Sequence, residues 1–208
     1  MFTQYQNDCP SPISYKMNRR TFLKIPLAAA AYSAVGSFGI LFPDEAVAIG
    51  NNSTEHPFWM RDRHIEIVRA DTKERASIKF FENGRYIKEG FKHACYLFRD
   101  AKDNNTVANM DVQLFNLIYG VQEWARMAGK PNPIITLNSG YRTPRRNARI
   151  EGAALNSMHI HGKAADIVMR GVEPWQLAEM AKRFHGGGVG TYRGFTHVDT
   201  GRMREWLG

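Results

Sequence analysis

Cysteine is scarce in this chain. The 208 residues hold two, and Cys9 lies ahead of the basic pair Arg19-Arg20, leaving Cys95 alone in the remainder. One thiol closes no internal disulfide, so a folded domain here must stand on its core. Cys95 sits in an apolar helical pattern, the setting of a buried thiol rather than a nucleophile. Long apolar runs are missing too. The most apolar stretch, residues 25–42, is shorter than the ~20 residues that span a bilayer, and Pro26, Gly36 and Gly39 interrupt it. No internal repeat or low-complexity tract is present. Missing motifs exclude several chemistries. There is no G-x-S-x-G elbow, no H-E-x-x-H helix, no phosphate-binding loop and no dinucleotide fingerprint.

Acidic residues are also in deficit, 20 Asp and Glu against 28 Lys and Arg, for a net charge of +8. The prefix carries Lys16, Arg19, Arg20 and Lys24 against Asp8, Asp44 and Glu45, so +7 of this belongs to residues 49–208. Such a surface suits an anionic partner such as a bacterial wall or membrane surface. It does not suit nucleic acid, because no basic run is interleaved with stacking aromatics.

What is present begins with an export pattern over residues 1–48. Asn18-Arg19-Arg20-Thr21-Phe22-Leu23-Lys24 is a twin-arginine motif, followed by the weakly apolar run and by Ala46-Val47-Ala48, an A-x-A cleavage site. The order predicts a cleaved twin-arginine signal and no stable membrane anchor afterwards. Met17 stands just ahead of the motif and offers an alternative start. Residues 49–61 read as a linker and residues 62–208 as the domain.

Within the domain, hydrophobic periodicity predicts the elements. His64 to Arg69 and Ala76 to Phe81 alternate as two strands around a turn at Asp71-Thr72-Lys73-Glu74. Phe91 to Asp100 and Asp111 to Met127 read as amphipathic helices. Ile134 to Asn138 is a short strand. Ile167-Val168-Met169 continues a strand out of Asp166, Pro174 to Phe184 is a helix, and Phe195 to Thr200 is a last strand. The glycines of Gly186 to Gly190 read as a mobile turn at the lip of a cleft. Helices come early and strands late, which predicts an α+β fold.

One constellation carries chemistry. Ser157-Met158-His159-Ile160-His161-Gly162-Lys163-Ala164-Ala165-Asp166 is answered downstream by Thr196-His197-Val198-Asp199-Thr200. Two histidines and an aspartate of this kind can make a three-ligand zinc site with one position open for water, the other reading being capped or hydrogen-bonded surface residues near a turn. On a continuous helix His159 and Asp166 would stand about 10.5 Å apart along the axis, too far for one ion. On one straight strand they would point to opposite faces. A reversal between them solves both problems, and Gly162 permits it. His197 and Asp199, two apart on a strand, share a face.

These residues resemble the signature of the LAS-type zinc peptidases, the group of the zinc D-alanyl-D-alanine carboxypeptidases, and more closely its murein endopeptidase K branch. Phe81-Glu82-Asn83-Gly84-Arg85-Tyr86, Ser139-Gly140-Tyr141-Arg142-Thr143-Pro144, Gly188-Val189-Gly190-x-Tyr192 and Phe195-x-His197-x-Asp199-x-Gly201 fit the same pattern, over about residues 62–206. The resemblance implies a small antiparallel sheet that carries the site, flanked by helices. It implies zinc held by His159, Asp166 and His197, with Arg142 near the scissile carbonyl. It also implies hydrolysis of peptide cross-links between peptidoglycan stems, in the periplasm or at the wall. The sequence departs from carboxypeptidase-like relatives at Gly194 and Phe195, where an acidic or histidine side chain often stands. Asp199 is then the first expectation for the general base and His161 the second. Ser157, His161 and Tyr141 are expected to touch substrate or ligands. Two alternatives stay open, a catalytically impaired peptidoglycan-binding module on the same fold and a D-amino-acid dipeptidase or carboxypeptidase. Oligomeric state is not legible.

Overall fold

A computed structural model describes residues 57–208. The twin-arginine segment and most of the expected linker lie outside the described residues. Among those described, no helix is long and apolar enough to cross a membrane.

The chain opens with a four-residue helix, α1 (Pro57–Met60), and a hairpin of β1 (Arg63–Arg69) and β2 (Arg75–Glu82). Asn83 and Gly84 turn through positive φ, 51° and 76°, into β3 (Arg85–Tyr86). Then come α2 (Lys88–Leu97), α3 (Val112–Met127), β4 (Ile135–Ser139) and α4 (Pro144–Asn147). A 3-10 turn at Met158–His161 leads into β5 (Ala164–Met169), α5 (Pro174–Lys182), β6 (Gly188–Thr191), β7 (Thr196–Asp199) and β8 (Arg204–Leu207). The strands form one sheet in the order β3-β2-β1-β4-β5-β7-β6-β8. The α+β class is as expected. The sheet has eight strands, and it is mixed, since β1 runs parallel to β4 and β6 parallel to β8.

One face of the sheet is apolar and covered by helices. Asp111 caps α3 by accepting from the Gln113 N–H at 3.0 Å, and Leu114, Phe115, Ile118, Val121 and Ala125 bury at helical spacing. They meet Ile65, Ile67, Ile135 and Ile167 of the sheet in one core. Each such side chain contributes about 1.5–3 kcal/mol by leaving water. Truncating Ile118 to Ala would open a cavity there at a cost of about 2–5 kcal/mol. Farther along, Leu177, Ala178 and Ala181 of α5 join the same core as Val189 and Val198.

Some elements fall elsewhere than the periodicity predicts. Helix α2 begins three residues before Phe91 and ends at Leu97. Its first turn holds Gly90, where a Cβ would lie 1.9 Å from Lys79 O. A glycine that ordinarily weakens a helix is needed there because α2 lies directly on β2. Residues 57–60, expected as linker, form α1, and the rings of Phe58 and Trp59 pack against Tyr119 and Phe184. The expected mobile turn at Gly186–Gly190 is largely strand, because Gly188 begins β6 between β7 and β8.

Candidate metal centre

The opposite face of the sheet is polar around its middle strands. Ser139 of β4 pairs with Asp166 of β5, Asp166 with His197 of β7, His197 with Gly190 of β6, and Gly190 with Trp206 of β8. This row crosses five strands. Asp166 and His197 are therefore direct cross-strand neighbours, the closest side-chain relation a sheet provides.

His159 arrives from outside the sheet. Ser157 caps the 3-10 turn by accepting from the His159 N–H at 3.4 Å. Gly162 ends the turn in the left-handed region, at φ 66°. A Cβ at Gly162 would meet Asn109 O at 2.6 Å, so both conformation and space require glycine. The chain reverses at this residue and lays His159 over β5.

His159 Nε2 lies 3.2 Å from Asp166 Oδ1 and 3.2 Å from His197 Nδ1, and His197 Nδ1 lies 2.9 Å from Asp166 Oδ1. All three side chains are buried. The outer nitrogens fix what the inner ones carry. His159 Nδ1 lies 2.6 Å from Gly140 O, which can only accept, so Nδ1 holds the proton and Nε2 a lone pair. His197 Nε2 lies 3.2 Å from Asp199 Oδ2, so its proton sits there and Nδ1 is left with a lone pair. Two nitrogen lone pairs and a carboxylate oxygen thus face one another. Such a nest repels itself unless a cation or a proton enters it. Two imidazoles and one carboxylate are the donor set of catalytic zinc sites, and the residues fit that ion.

For His159 the electrostatics agree with this assignment, and at His197 they show the proton that a cation would displace from Nδ1. Burial holds the His159 imidazole below its ordinary pKa, which keeps it neutral. Burial also pulls His197 down, but the Asp166 and Asp199 carboxylates outweigh it and raise this ring. The same contacts act on Asp166. Burial alone would raise its carboxyl, yet His159 and His197 hold it well below the usual carboxylate range.

Arg142 stands beside the cluster. Its guanidinium donates to Asp166 Oδ2, through Nε to Ser139 Oγ at 2.8 Å, and lies 3.2 Å from His159 Nε2. Each residue of Ser139-Gly140-Tyr141-Arg142-Thr143-Pro144 has a task. Ser139 holds the arginine and Gly140 O orients His159. A Cβ at Gly140 would lie 2.4 Å from Phe98 O, so the backbone could not come so close with another residue. Thr143 caps α4 by accepting from the Arg146 N–H at 3.1 Å, and Pro144 opens that helix. Asp100 Oδ2 accepts from the Thr143 N–H at 2.9 Å, and Asp103 accepts from Thr143 Oγ1 and Arg145. Nothing in the local sequence marks Asp100 or Asp103, since both act across about forty residues.

The other expected site residues fall outside the cluster. Ser157 is a cap. Tyr141 packs against the core and donates its N–H to Phe98 O at 2.7 Å. His161 is exposed, with Nε2 2.6 Å from Asn156 Oδ1. Asp199, expected as a base, lies behind His197 rather than in the nest. It is fully buried on the far side of the His197 ring. Its Oδ1 accepts from Gly188 N, Gly201 N and Arg204 Nη1, and its Oδ2 from His197 and Arg204 Nη2. Burial alone would raise its carboxyl, but His197 and the Gly201 and Gly188 N–H groups hold it down at about 2, and its oxygens face these donors and Arg204 rather than the nest.

A buried His-Asp-His nest next to a fixed arginine, on the polar face of an α+β sheet, is the equipment of a metal-dependent peptidase. Family comparison gives a peptidase too, and this chain belongs to the MepK family of M15 peptidases, whose model, described as peptidoglycan L,D-endopeptidase MepK, matches residues 59–206. Similar proteins include the probable peptidoglycan L,D-endopeptidase MepK of Haemophilus influenzae, 38% identical over 75% of this chain and 82% of its own length. The peptidoglycan L,D-endopeptidase MepK of Escherichia coli K12 is 32% identical over 70% of this chain and 81% of its own.

Proposed function

We propose that this chain is a zinc-dependent murein endopeptidase that hydrolyses peptide cross-links of peptidoglycan, with the L,D bond named for its relatives as its target. The observation that carries this is the nest of lone pairs on His159, Asp166 and His197 with Arg142 against it. Zinc held by His159 Nε2, Asp166 Oδ1 and His197 Nδ1 would lower the pKa of a bound water toward neutrality and polarise the scissile carbonyl. Arg142 is clamped by Ser139 and Asp166, so its charge is already in place where an oxyanion develops. Asp199 is fully engaged and is not assigned the proton. His161, exposed and two residues from His159, is the candidate acceptor. The twin-arginine pattern of residues 18–24 and the +7 balance of residues 49–208 support export to the periplasm and contact with an anionic wall.

The test uses the full chain, analysed for metal and incubated with cross-linked sacculi, with the fragments identified by mass. Stoichiometric zinc and new stem-peptide ends are expected, both lost in His159→Ala. Zinc and muropeptide binding without cleavage would make the protein a binding module instead. Release of terminal residues or free dipeptides alone would make it a carboxypeptidase or dipeptidase. A chain with no affinity for zinc would end the proposal.

A further inference from the structure

Strand β6 carries two glycines on its polar face, and each lies under a side chain from the edge strand β8. At Gly188 a Cβ would lie 2.5 Å from Asp199 Oδ2 and 2.7 Å from Arg204 Nη1. At Gly190 it would lie 2.4 Å from the Trp206 indole. Arg204 and Trp206 alternate on β8 and pair in register with Gly188 and Gly190. Because β6 presents no side chain at either place, both residues reach over it to β7. Arg204 arrives at Asp199, with Nη2 2.7 Å from Oδ2 and Nη1 3.3 Å from Oδ1. Trp206 arrives at His197, with ring centroids 5.2 Å apart, and its Nε1 donates to Tyr192 Oη at 3.0 Å.

Building on the metal reading above, we infer that Arg204 is a positioning residue of the metal centre: acting through Asp199, it fixes which nitrogen of His197 faces the metal. Asp199 can accept from His197 Nε2 only if its carboxylate is held aimed at the ring. It is fully buried, where an uncompensated charge would be costly. Arg204 supplies the compensation with a two-pronged contact, and Gly188 N and Gly201 N supply the remaining donors. With the Nε2 proton held, Nδ1 presents its lone pair to His159 and Asp166. Trp206 packs on the ring that Asp199 has oriented. The edge strand of the sheet is thus a working part of the site, separated from His197 on β7 by β6 and from Asp166 on β5 by β6 and β7. Partners of this kind around a metal-bound histidine typically change metal affinity 10- to 100-fold.

The experiment measures zinc affinity of the full chain by competition with a chromophoric chelator, for wild type, Asp199→Asn, Arg204→Met and Arg204→Lys. It also records the visible spectrum of the cobalt-substituted proteins. A destabilised control is Arg69→Met, on β1, with β4 and β5 between it and β7, and all measurements are made where circular dichroism shows every variant folded. Zinc affinity is expected to fall about 10- to 100-fold in Asp199→Asn and about 10-fold in Arg204→Met, with partial recovery in Arg204→Lys. The cobalt bands should shift in the first two, and Arg69→Met should match wild type in both readouts. Wild-type affinity in Asp199→Asn and Arg204→Met overturns the inference and leaves the zinc assignment standing. An equal loss in Arg69→Met overturns it too, by showing that affinity follows stability alone. A wild-type chain that binds neither zinc nor cobalt overturns the zinc assignment and this inference together.

Discussion

Two of the domain's buried polar networks are built on opposite principles. At the outer end of β1, Arg69 is 3% exposed, yet every contact it makes runs from donor to acceptor. It donates to Leu97 O and to Arg99 O, and to both oxygens of Asp71 at 2.9 and 2.8 Å. Arg99 in turn donates to both oxygens of Glu74, at 3.1 and 2.9 Å, and to Asn105. In the nest of His159, Asp166 and His197, three acceptors face one another at 2.9–3.2 Å. The first network closes on itself and joins the β1–β2 turn to the end of α2. In the second, Arg142 reaches Asp166 and His159 from one side, and the three inner acceptors have no donor among themselves. A buried cluster is thus identified as a site by its unbalanced acceptors, and burial or charge count alone would not tell the two apart.

Neutralising one acceptor should break the second network hardest. Asp166→Asn keeps the shape of the side chain and removes its charge. We expect loss of stoichiometric zinc and a fall in cross-link cleavage of at least about 10³-fold. The check is metal analysis beside the sacculus digest. The circular dichroism spectrum of the metal-free protein should still be that of the folded domain, while loss of the Arg142–Asp166 pair lowers its urea midpoint.

The first network should respond in the opposite way. Arg69→Met leaves the carbonyls of Leu97 and Arg99 without their donor and Asp71 without its partner. Removing one member of a buried ion pair costs about 3–5 kcal/mol, measured as a shift of the urea midpoint. Zinc content and kcat of the folded fraction should stay at wild-type values. A fall in kcat at full folding would show that the two networks communicate through β4, which lies between β1 and β5.

How much of this was legible in the sequence follows from the range of the interactions. The Gly162 reversal could be derived before any coordinates, because the spacing of His159 and Asp166 fits neither a helix nor a strand. The cap at Asp111 and the apolar face of α3 were equally local. Asp199 lies on the face of β7 that period two predicts, behind the His197 ring rather than in the nest. Period two says that Asp199 and His197 share a face, and says nothing about which ring nitrogen the carboxylate meets. Arg204, Gly188 and Gly190 were illegible as a group. A glycine-rich run reads as a turn until a neighbouring strand is known to send side chains across it. Arg69 gave no signal either, since a charged residue at a strand end is ordinarily exposed.

Arg142 belongs to the second network but should matter only when substrate is bound. Arg142→Lys retains a charge and loses the fork that joins Ser139 Oγ to Asp166. Removal of a preorganised oxyanion donor lowers kcat about 10²- to 10³-fold, and the lysine variant is expected near the lower figure. Zinc content should stay stoichiometric, which separates this variant from Asp166→Asn. Loss of zinc would instead make Arg142 part of what holds Asp166 in place.

The smallest effect lies in acid and belongs to the first network. Asp71 has its carboxyl lowered from 3.8 to about 2, chiefly by the Arg69 hydrogen bonds, against a smaller opposing effect of burial. Glu74 is lowered as well: burial alone would raise it, but Thr72 and Arg99 outweigh that. A carboxylate with a depressed folded-state pKa contributes stability above its unfolded value, and that contribution is lost as pH falls through the folded value. The Asp71 contribution should therefore be complete above about pH 4 and fade toward pH 2. Its side chain is 20% exposed, so solvent screening leaves on the order of 1 kcal/mol. Urea unfolding of metal-free wild type and Asp71→Asn at a series of pH values measures the difference. The two curves should stay parallel and separated above pH 4 and converge below it. Parallel curves down to pH 2 would mean that Arg69 is held by the carbonyls of Leu97 and Arg99 alone, and the self-closing network would then be smaller than its hydrogen bonds suggest.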